Sequence, residues 1–381
     1  MQFEQPSTPD MLQLKYAEAY FNHGNRLGKL GRLDDAIVYY LKTLDIKPNF
    51  IEVYTNLGNV LAAQGRLNDA IASFKAGLKL HPDSVDFRNS LGLVLHSQGK
   101  FSEADSFYCE ALKLTPIDEP YLPYFAFLGN PIRHFWMMGT IAMLQKSDRQ
   151  VKMLEVGTWA GSSFLTWDQC ITSFHSKGGT IQCVDPWKPY LKVKDNIHPF
   201  LNSISDYDIA FRIFCHNKNT ASCKVDHYRG VSKKILPGLE SSSFDIVYID
   251  GSHYYDDVVK DIQEGCRLVR DGGYICGDDL EIQWDDANQE HAQKHKDEDY
   301  VQDPKGRYYH PGVTVAVYDV LGKVTCHEGY WVMQKQGDKL NRVRFKEFDH
   351  FMPPHFPTDW KTTFKDYVNT LSTEVFSDGY I

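Results

Sequence analysis

Residues 151–163 read VKMLEVGTWAGSS: an apolar run, then Gly157, then Gly161 with Ser162 and Ser163 behind it. The run Val151–Val156 predicts a buried strand, and the two glycines predict a turn that opens a helix at about Gly161. Without a Cβ, the backbone at Gly157 and Gly161 turns tightly and lets a ligand approach closely. The first N–H groups of the helix favour a carboxylate or phosphate there. The spacing is Glu155-x-Gly157-x-x-x-Gly161, and Trp159 stands where a dinucleotide fingerprint has its second glycine. That substitution argues against a pyrophosphate ligand. A turn with a purely structural role is the competing reading.

Downstream, residues 180–184 predict a second strand that ends at Asp185, followed by Pro186 and Trp187. An acidic side chain at that position is placed to accept hydrogen bonds from ribose hydroxyls, or else to cap its own loop. Residues 188–206 lack periodicity and read as a loop over a site. Residues 207–219 read as a helix and residues 224–229 as a third strand. The most informative stretch is SFDIVYIDGSHYYDDVVKDI, residues 243–262. Its strand Phe244–Ile249 ends in Asp250-Gly251-Ser252-His253, and a helix follows. Asp271-Gly272-Gly273 then turns the chain into a further strand ending in Asp278-Asp279. Two adjacent parallel strands thus deliver three carboxylates and an imidazole to the carboxyl edge of a sheet, where ligands bind in open α/β folds. Carboxylates held together repel unless a cation or proton compensates, and an oxygen-only set suits Mg²⁺.

The strand–glycine turn–helix resembles the first motif of the class I S-adenosylmethionine-dependent methyltransferases. The resemblance implies a Rossmann-like, seven-stranded sheet with helices on both faces. It further implies a cofactor side built from Glu155, Gly157, Thr158, Gly161, Ser162 and Ser163, with Asp185 on the ribose and Trp187 flanking the ligand. The I-D-G-x-H and paired-acid motifs resemble the metal-dependent O-methyltransferases, most closely the branch acting on sugar hydroxyls of macrolides and related glycans. Catechol-type enzymes place a lysine near the first acid and an asparagine last, where His253 and Asp279 stand here. The likeness spans residues 151–335. It implies that Asp250, Asp278 and Asp279 hold Mg²⁺ (or another divalent cation), with Asp250 and His253 as the catalytic pair. A metal-bound alcohol loses its proton more readily, and His253 is placed to take it. A vicinal diol or catechol-like acceptor suits two-point binding. A hydroxylase branch shares the acid motifs, which leaves oxidation open.

The first part of the chain repeats with a period of 34 residues, over 17–50, 51–84 and 85–118. First helices carry His23-Gly24, Leu57-Gly58 and Leu91-Gly92, then Leu27, Leu61 and Leu95; turns carry Gly31, Gly65 and Gly99. Second helices carry Ala36, Ala70 and Ala104, then Tyr40, Phe74 and Tyr108, and each repeat closes at Pro48, Pro82 or Pro116. This is the tetratricopeptide pattern, and it resembles the bacterial repeats fused to sugar-modifying enzymes. Asn25, Asn59 and Asn89 are candidates for a partner's backbone, against the plainer reading of solvated positions.

The expected architecture is therefore α + α/β. An N-terminal segment (1–16) precedes three repeats (17–118), capping or linker helices (119–150) and the methyltransferase-like domain (151–381). The charged stretch 281–310 reads as a mobile insertion, and its His291 and His295 as a solvated helix face rather than a metal pair. The Phe-, His- and Pro-rich tail at 345–360 suits either the acceptor pocket or an interface. Net charge is −9 with no basic block, which disfavours nucleic acid. The opening MQFEQPSTPD lacks a secretory pattern, and the apolar window at 135–144 is too short to span a bilayer. Eight scattered cysteines without a C-x-x-C pair fit reduced thiols, and a cytoplasmic protein without membrane insertion is expected. The acceptor is read as a small molecule or glycan, with a possible protein partner on the repeats and a possible homo-oligomer. The alternatives are a protein-substrate methyltransferase docked by the repeats, and a non-catalytic binding scaffold.

Overall fold

The computed structural model describes residues 9–127, 129–144, 148–188 and 208–371. The chain divides into two compact units, Met1–Pro116 and Ile117–Ile381. The first holds six helices: α1 (Pro9–Lys29), α2 (Leu33–Ile46), α3 (Ile51–Ala63), α4 (Leu67–Leu80), α5 (Val85–Ser97) and α6 (Phe101–Leu114). They pair in sequence order, α1 on α2, α3 on α4 and α5 on α6. The repeated Gly–aromatic signature explains the pairing. A Cβ on Gly58 would lie 2.3 Å from the Phe74 ring and one on Gly92 2.6 Å from the Tyr108 ring. The missing side chain lets the aromatic of the second helix sink against the first helix's backbone, where ring and backbone close-pack. Ala36, Ala70 and Ala104 are fully buried at these crossings. The first helix starts at Pro9, eight residues ahead of the expected repeat boundary. Asn25, read as a solvated position or a candidate for a partner's backbone, instead accepts hydrogen bonds from Tyr40 Oη (2.9 Å) and Asn56 Nδ2 (2.8 Å) and ties two repeats together.

The second unit begins with α7 (Arg133–Met143) and then alternates strands and helices. In order these are β1 (Val151–Val156), α8 (Ser162–Phe174), β2 (Gly179–Asp185), α9 (Ile209–Lys218), β3 (Lys224–Arg229), the short α10 (Ser232–Ile235) and β4 (Phe244–Ile249). There follow α11 (Tyr255–Leu268), β5 (Val269–Leu280), α12 (Gln289–His295), β6 (Val301–Gln302), β7 (Tyr308–Tyr309), α13 (Pro311–Leu321), β8 (Thr325–His327), β9 (Gly329–Gln336), β10 (Lys339–Arg342) and α14 (Thr358–Thr370). The helix expected over 207–219 is α9; the loop expected over 188–206 lies, after Lys188, outside the described residues. The path through the sheet is β10-β9-β5-β4-β1-β2-β3, with an eighth strand, β8, also paired to β9. Strands β5, β4, β1, β2 and β3 run parallel, and β9 and β10 join antiparallel.

Side chains of β1 alternate between two cores. Leu154 and Val156 join Val247, Ile249 and Ile275 beneath α11 and α13. On the other face Trp167 of α8 lies 5.4 Å from Tyr248, and Thr140 of α7 bonds the Tyr330 hydroxyl at 2.7 Å. The tail packs over α7, with Phe348 4.7 Å from Phe135 and Phe345 4.8 Å from Trp136. The stretch at 281–310, expected as mobile, is folded. Its helix α12 and ribbon β6–β7 close on a small core of Ile282, Ala292, Tyr309 and Val315. His291 and His295 stack at 4.3 Å, and bind Tyr309 Oη and Glu298. Among the described residues no helix is long and apolar enough to cross a membrane, and Cys170, Cys183, Cys223 and Cys276 are buried free thiols.

The sheet reverses its order at β1, between β2 and β4, and there the chain packs tightest. Gly157 has φ +87°, and a Cβ on it would sit 1.8 Å from the Asp250 carbonyl oxygen. Relief requires moving the end of β4 rather than a side chain. The substitution Gly157→Ala should therefore cost about 3 kcal/mol in this unit. All seven tryptophans lie in the second unit, so urea unfolding followed by tryptophan fluorescence reads it alone. An unchanged midpoint would show that the ends of β1 and β4 have room to part.

Candidate functional site

A cavity of about 490 Å³ opens at the carboxyl ends of β1, β2 and β4. One side is the glycine turn: Gly157, Thr158, Trp159, Ser162 and Ser163, with Val184 and Asp185. The other carries Asp250, Ser252, His253, Asp279, Glu281, Asp299 and His310, with Arg133 between. A volume of this size accommodates a small-molecule ligand.

The turn is held by Asp185. Its Oδ2 accepts the N–H groups of Thr158 (3.0 Å) and Trp159 (2.9 Å), and its Oδ1 accepts that of Trp187 (2.6 Å). Burial raises its pKa, and these three N–H groups oppose the shift. Asp185 therefore fixes the loop that it was expected to serve beside, by accepting N–H groups of the turn ahead of the helix. A carboxylate has about four lone-pair sites, so capacity for a ribose hydroxyl remains. Gly157 is required by the neighbouring β4 backbone, where sequence reasoning assigned it to ligand approach. Gly161 (φ +98°) caps α8 and lies off the cavity lining. Trp187 is a correction: its indole is 1% exposed, packs on Phe211 and Phe214, and donates to Trp159 O. It supports the turn from behind and does not line the cavity.

Glu155 is also behind the lining, fully buried. Burial pushes its pKa up to about 7, against the Ser163 and Thr158 hydroxyls. Ser162 and Asp261 belong to the lining, and each carries a buried side-chain oxygen, Oγ and Oδ1, with no hydrogen-bond partner among the described residues. Unsatisfied atoms on a wall fit a polar ligand better than a dry void.

The acid cluster is shaped by a bulge. Between Gly277 and Leu280 strand β5 advances three residues while β9, from Trp331 to Gly329, advances two. In a regular strand Asp278 and Asp279 would point to opposite faces. The extra residue, with Asp279 at φ +62°, brings both to one edge. Oxygens of Asp250, Asp278 and Asp279 lie within 4.8 Å of one another, as the motif predicted.

Their counter-charge was not legible in the sequence. Arg133 Nη1 donates to Asp278 Oδ2 and, at 3.2 Å, to Asp250 Oδ2; Tyr248 Oη donates to the same Asp250 oxygen at 3.1 Å. Arg133 stands just ahead of the apolar window at 135–144, and no motif marks it. Asp279 pairs elsewhere, with His253 Nε2 at 3.0 Å and His310 Nδ1 at 4.0 Å. Burial raises Asp250, and Arg133 offsets this while Asp279 and Asp278 add to it. Asp278 is pushed by burial to about 6. Burial also acts on Asp279, yet His253 and His310 outweigh it and hold the group below the usual carboxylate range.

His253 Nδ1 contacts Asp299 Oδ1 at 2.8 Å while its Nε2 contacts Asp279. Two carboxylate partners require a proton on each nitrogen, so in this arrangement the imidazole is a donor on both sides. His310 packs against it with the rings tilted, centroids 4.2 Å apart, and is itself held by Glu281 at 2.8 Å. Asp299, Glu281 and His310 went unrecognised because they belong to the stretch read as an insertion. The only hint was Glu281, two positions beyond Asp279.

Comparisons with known proteins now have a geometry to meet. A family model described as a methyltransferase domain matches residues 154–280. Tetratricopeptide-repeat models match residues 24–65, 58–99 and 85–118. The chain thus carries a methyltransferase domain behind tetratricopeptide repeats. Among solved structures, the first repeat domain of Spaghetti (RPAP3) bound to the HSP90 peptide SRMEEVD is 24% identical, over 27% of this chain and 81% of that one, at a TM-score of 0.26. The OM64 repeat domain of Arabidopsis is 17% identical over 27% of this chain and 86% of that chain (TM-score 0.26). MamA is 23% identical over 26% of this chain and 59% of that chain (TM-score 0.26). No curated protein matches.

The buried Glu155 has a measurable signature. A carboxyl whose folded pKa exceeds its unfolded value makes stability fall as pH rises from about 4.5 through about 7, and the loss is complete above the folded pKa. Glu155→Gln removes that term. The variant should gain on the parent by up to about 3 kcal/mol between pH 5 and pH 8, read from urea midpoints by tryptophan fluorescence. Parallel pH profiles for the two proteins would refute the shift.

Proposed function

We propose that the second unit transfers a methyl group from S-adenosylmethionine to a hydroxyl of a sugar, glycan or related diol, with a divalent cation such as Mg²⁺ at the acid cluster. The observation that carries this reading is the shared cavity: the glycine turn and Asp185 form one wall, and Asp250, His253 and Asp279 form the other, within a methyltransferase-domain match. The cofactor when bound supplies an electrophilic sulfonium methyl. The unpartnered Ser162 Oγ and Asp261 Oδ1 suit its polar ends, and Asp185 suits its ribose. Asp250, Asp278 and Asp279 are an oxygen-only donor set of the type Mg²⁺ takes, and the ion when bound would acidify a coordinated hydroxyl.

The chain's own residues then divide the work. Asp299 fixes the His253 ring through Nδ1; once Asp279 turns to another partner and the Nε2 proton is released to solvent, the neutral Nε2 is the atom that takes the acceptor's proton. The carboxylate behind the ring stabilises the imidazolium so formed. Glu281 lines the cavity beside the imidazoles and is placed to bind a neighbouring hydroxyl of the acceptor. The repeats serve as a docking array for the glycan carrier, a protein or another subunit, all compatible with a cytoplasmic protein.

The test uses the full chain, labelled S-adenosylmethionine and Mg²⁺, with vicinal-diol sugars, their deoxy analogues and proteins as acceptors. Label should appear in the diol sugars and not the deoxy ones. His253→Gln should lower kcat about 10²- to 10⁴-fold with little change in cofactor binding. Transfer to proteins alone would replace the glycan by a docked protein substrate. Turnover unaffected by His253→Gln would remove the base assignment, and failure to bind S-adenosylhomocysteine in calorimetry would leave only a scaffold.

A further inference from the structure

We infer that Arg133 is a built-in cation of the acid cluster and competes with a divalent metal ion for Asp250 and Asp278. The inference deepens the reading above and rests on it for the presence of a metal.

Arg133 opens α7, and its backbone is set by the preceding turn, where Asn130 Oδ1 accepts the Ile132 N–H at 2.9 Å. From there the side chain runs inward and is 8% exposed. Its Nη1 alone makes both contacts, to Asp250 Oδ2 and to Asp278 Oδ2. These two residues, with Asp279, form the one all-carboxylate group among the described residues whose oxygens converge within 4.8 Å. A metal bridging Asp250 and Asp278 at the roughly 2 Å distances of Mg²⁺ would lie where that nitrogen now lies. The two cations exclude each other by volume and by charge.

The guanidinium also has a prepared berth. Gly129 stands at φ +83°, and a Cβ there would meet Arg133 Nη1 at 2.9 Å and Cζ at 3.2 Å. The absent side chain at Gly129 is what admits the planar group beside the acids. Arg133 and Gly129 both line the cavity, so the side chain can leave the carboxylates without leaving the site. Asp279 pairs with His253 rather than with the guanidinium, so the competition is for Asp250 and Asp278. Metal-free protein therefore keeps its cluster neutralised and folded, and an entering ion exchanges with a side chain rather than with water alone.

The experiment is Mn²⁺ binding to the full chain, followed by electron paramagnetic resonance and calorimetry without substrate. Arg133→Gln should bind Mn²⁺ about ten-fold or more tightly than the parent, because a like charge has left the seat. Adding Asp278→Asn to that variant should abolish the gain, and Arg133→Lys should restore the parent's weaker affinity. Equal or weaker binding by Arg133→Gln, with its tryptophan-monitored unfolding intact, overturns the inference. If that variant does not fold, the parent decides. Its Arg133 guanidinium ¹⁵N resonance, assigned by loss in Arg133→Lys, should shift on saturation with Mg²⁺; an unmoved resonance overturns the inference. Absence of Mn²⁺ binding in every protein overturns both this inference and the metal in the reading above. Loss of S-adenosylhomocysteine binding with the Mn²⁺ pattern intact would sink that reading alone.

Discussion

The Asp250 carbonyl and the Gly157 Cα share a space that no side chain can enter. This contact joins the ends of β1 and β4, the point at which the order of the sheet reverses. In open α/β sheets that reversal opens a crevice above the carboxyl ends. Here it sets how far the glycine turn stands from the acid cluster. The loop braced by Asp185 hangs from the first of those strand ends, and Asp250 with the segment to His253 hangs from the second.

Around that crevice the charges are sorted by burial and partner. Asp250 and Asp278 share one guanidinium, while Asp279 is served by two imidazoles. The bulge in β5 creates this division, since it turns two consecutive residues to the same edge and gives each a different neighbour. Removing such charges from water is tolerable only when each has a partner in place. Three carboxylates of the same chemistry consequently hold protons with unequal strength. Unequal neighbours in a small space are a common feature of sites that move protons.

The repeats follow a simpler rule. One small residue on each first helix meets one ring on each second helix, three times over, and in the third repeat the buried His96 and Asp105 sit beside that ring, 3.8 Å from each other. Periodic small and aromatic positions are visible in a linear sequence because their partners lie a fixed distance along it. Hydrogen bonds between repeats, such as Asn56 to Asn25, are set by the same spacing. Asn25 itself illustrates the limit: polarity at that position was evident, but whether it faced a partner or a neighbouring repeat depended on the rotation of its helix.

By itself the sequence determined the order of the strands and main helices from β1 to β5, the glycine turn, the three-repeat array and the convergence of Asp250, Asp278 and Asp279. Each of these follows from local periodicity or from the rule that parallel strands end at one edge. Only the tertiary structure decided what neutralises those acids and what surrounds His253. Arg133 lies 117 residues before Asp250, and Asp299 lies 46 after His253. Such pairings have no period and no spacing to read. They exist because α7 and the folded segment after β5 are carried by packing to the same end of the sheet. The same packing turned Trp187 into the core and made Gly157 a matter of backbone clearance. A residue's type limits the chemistry open to it, and the neighbours that select one use arrive only when the chain has closed.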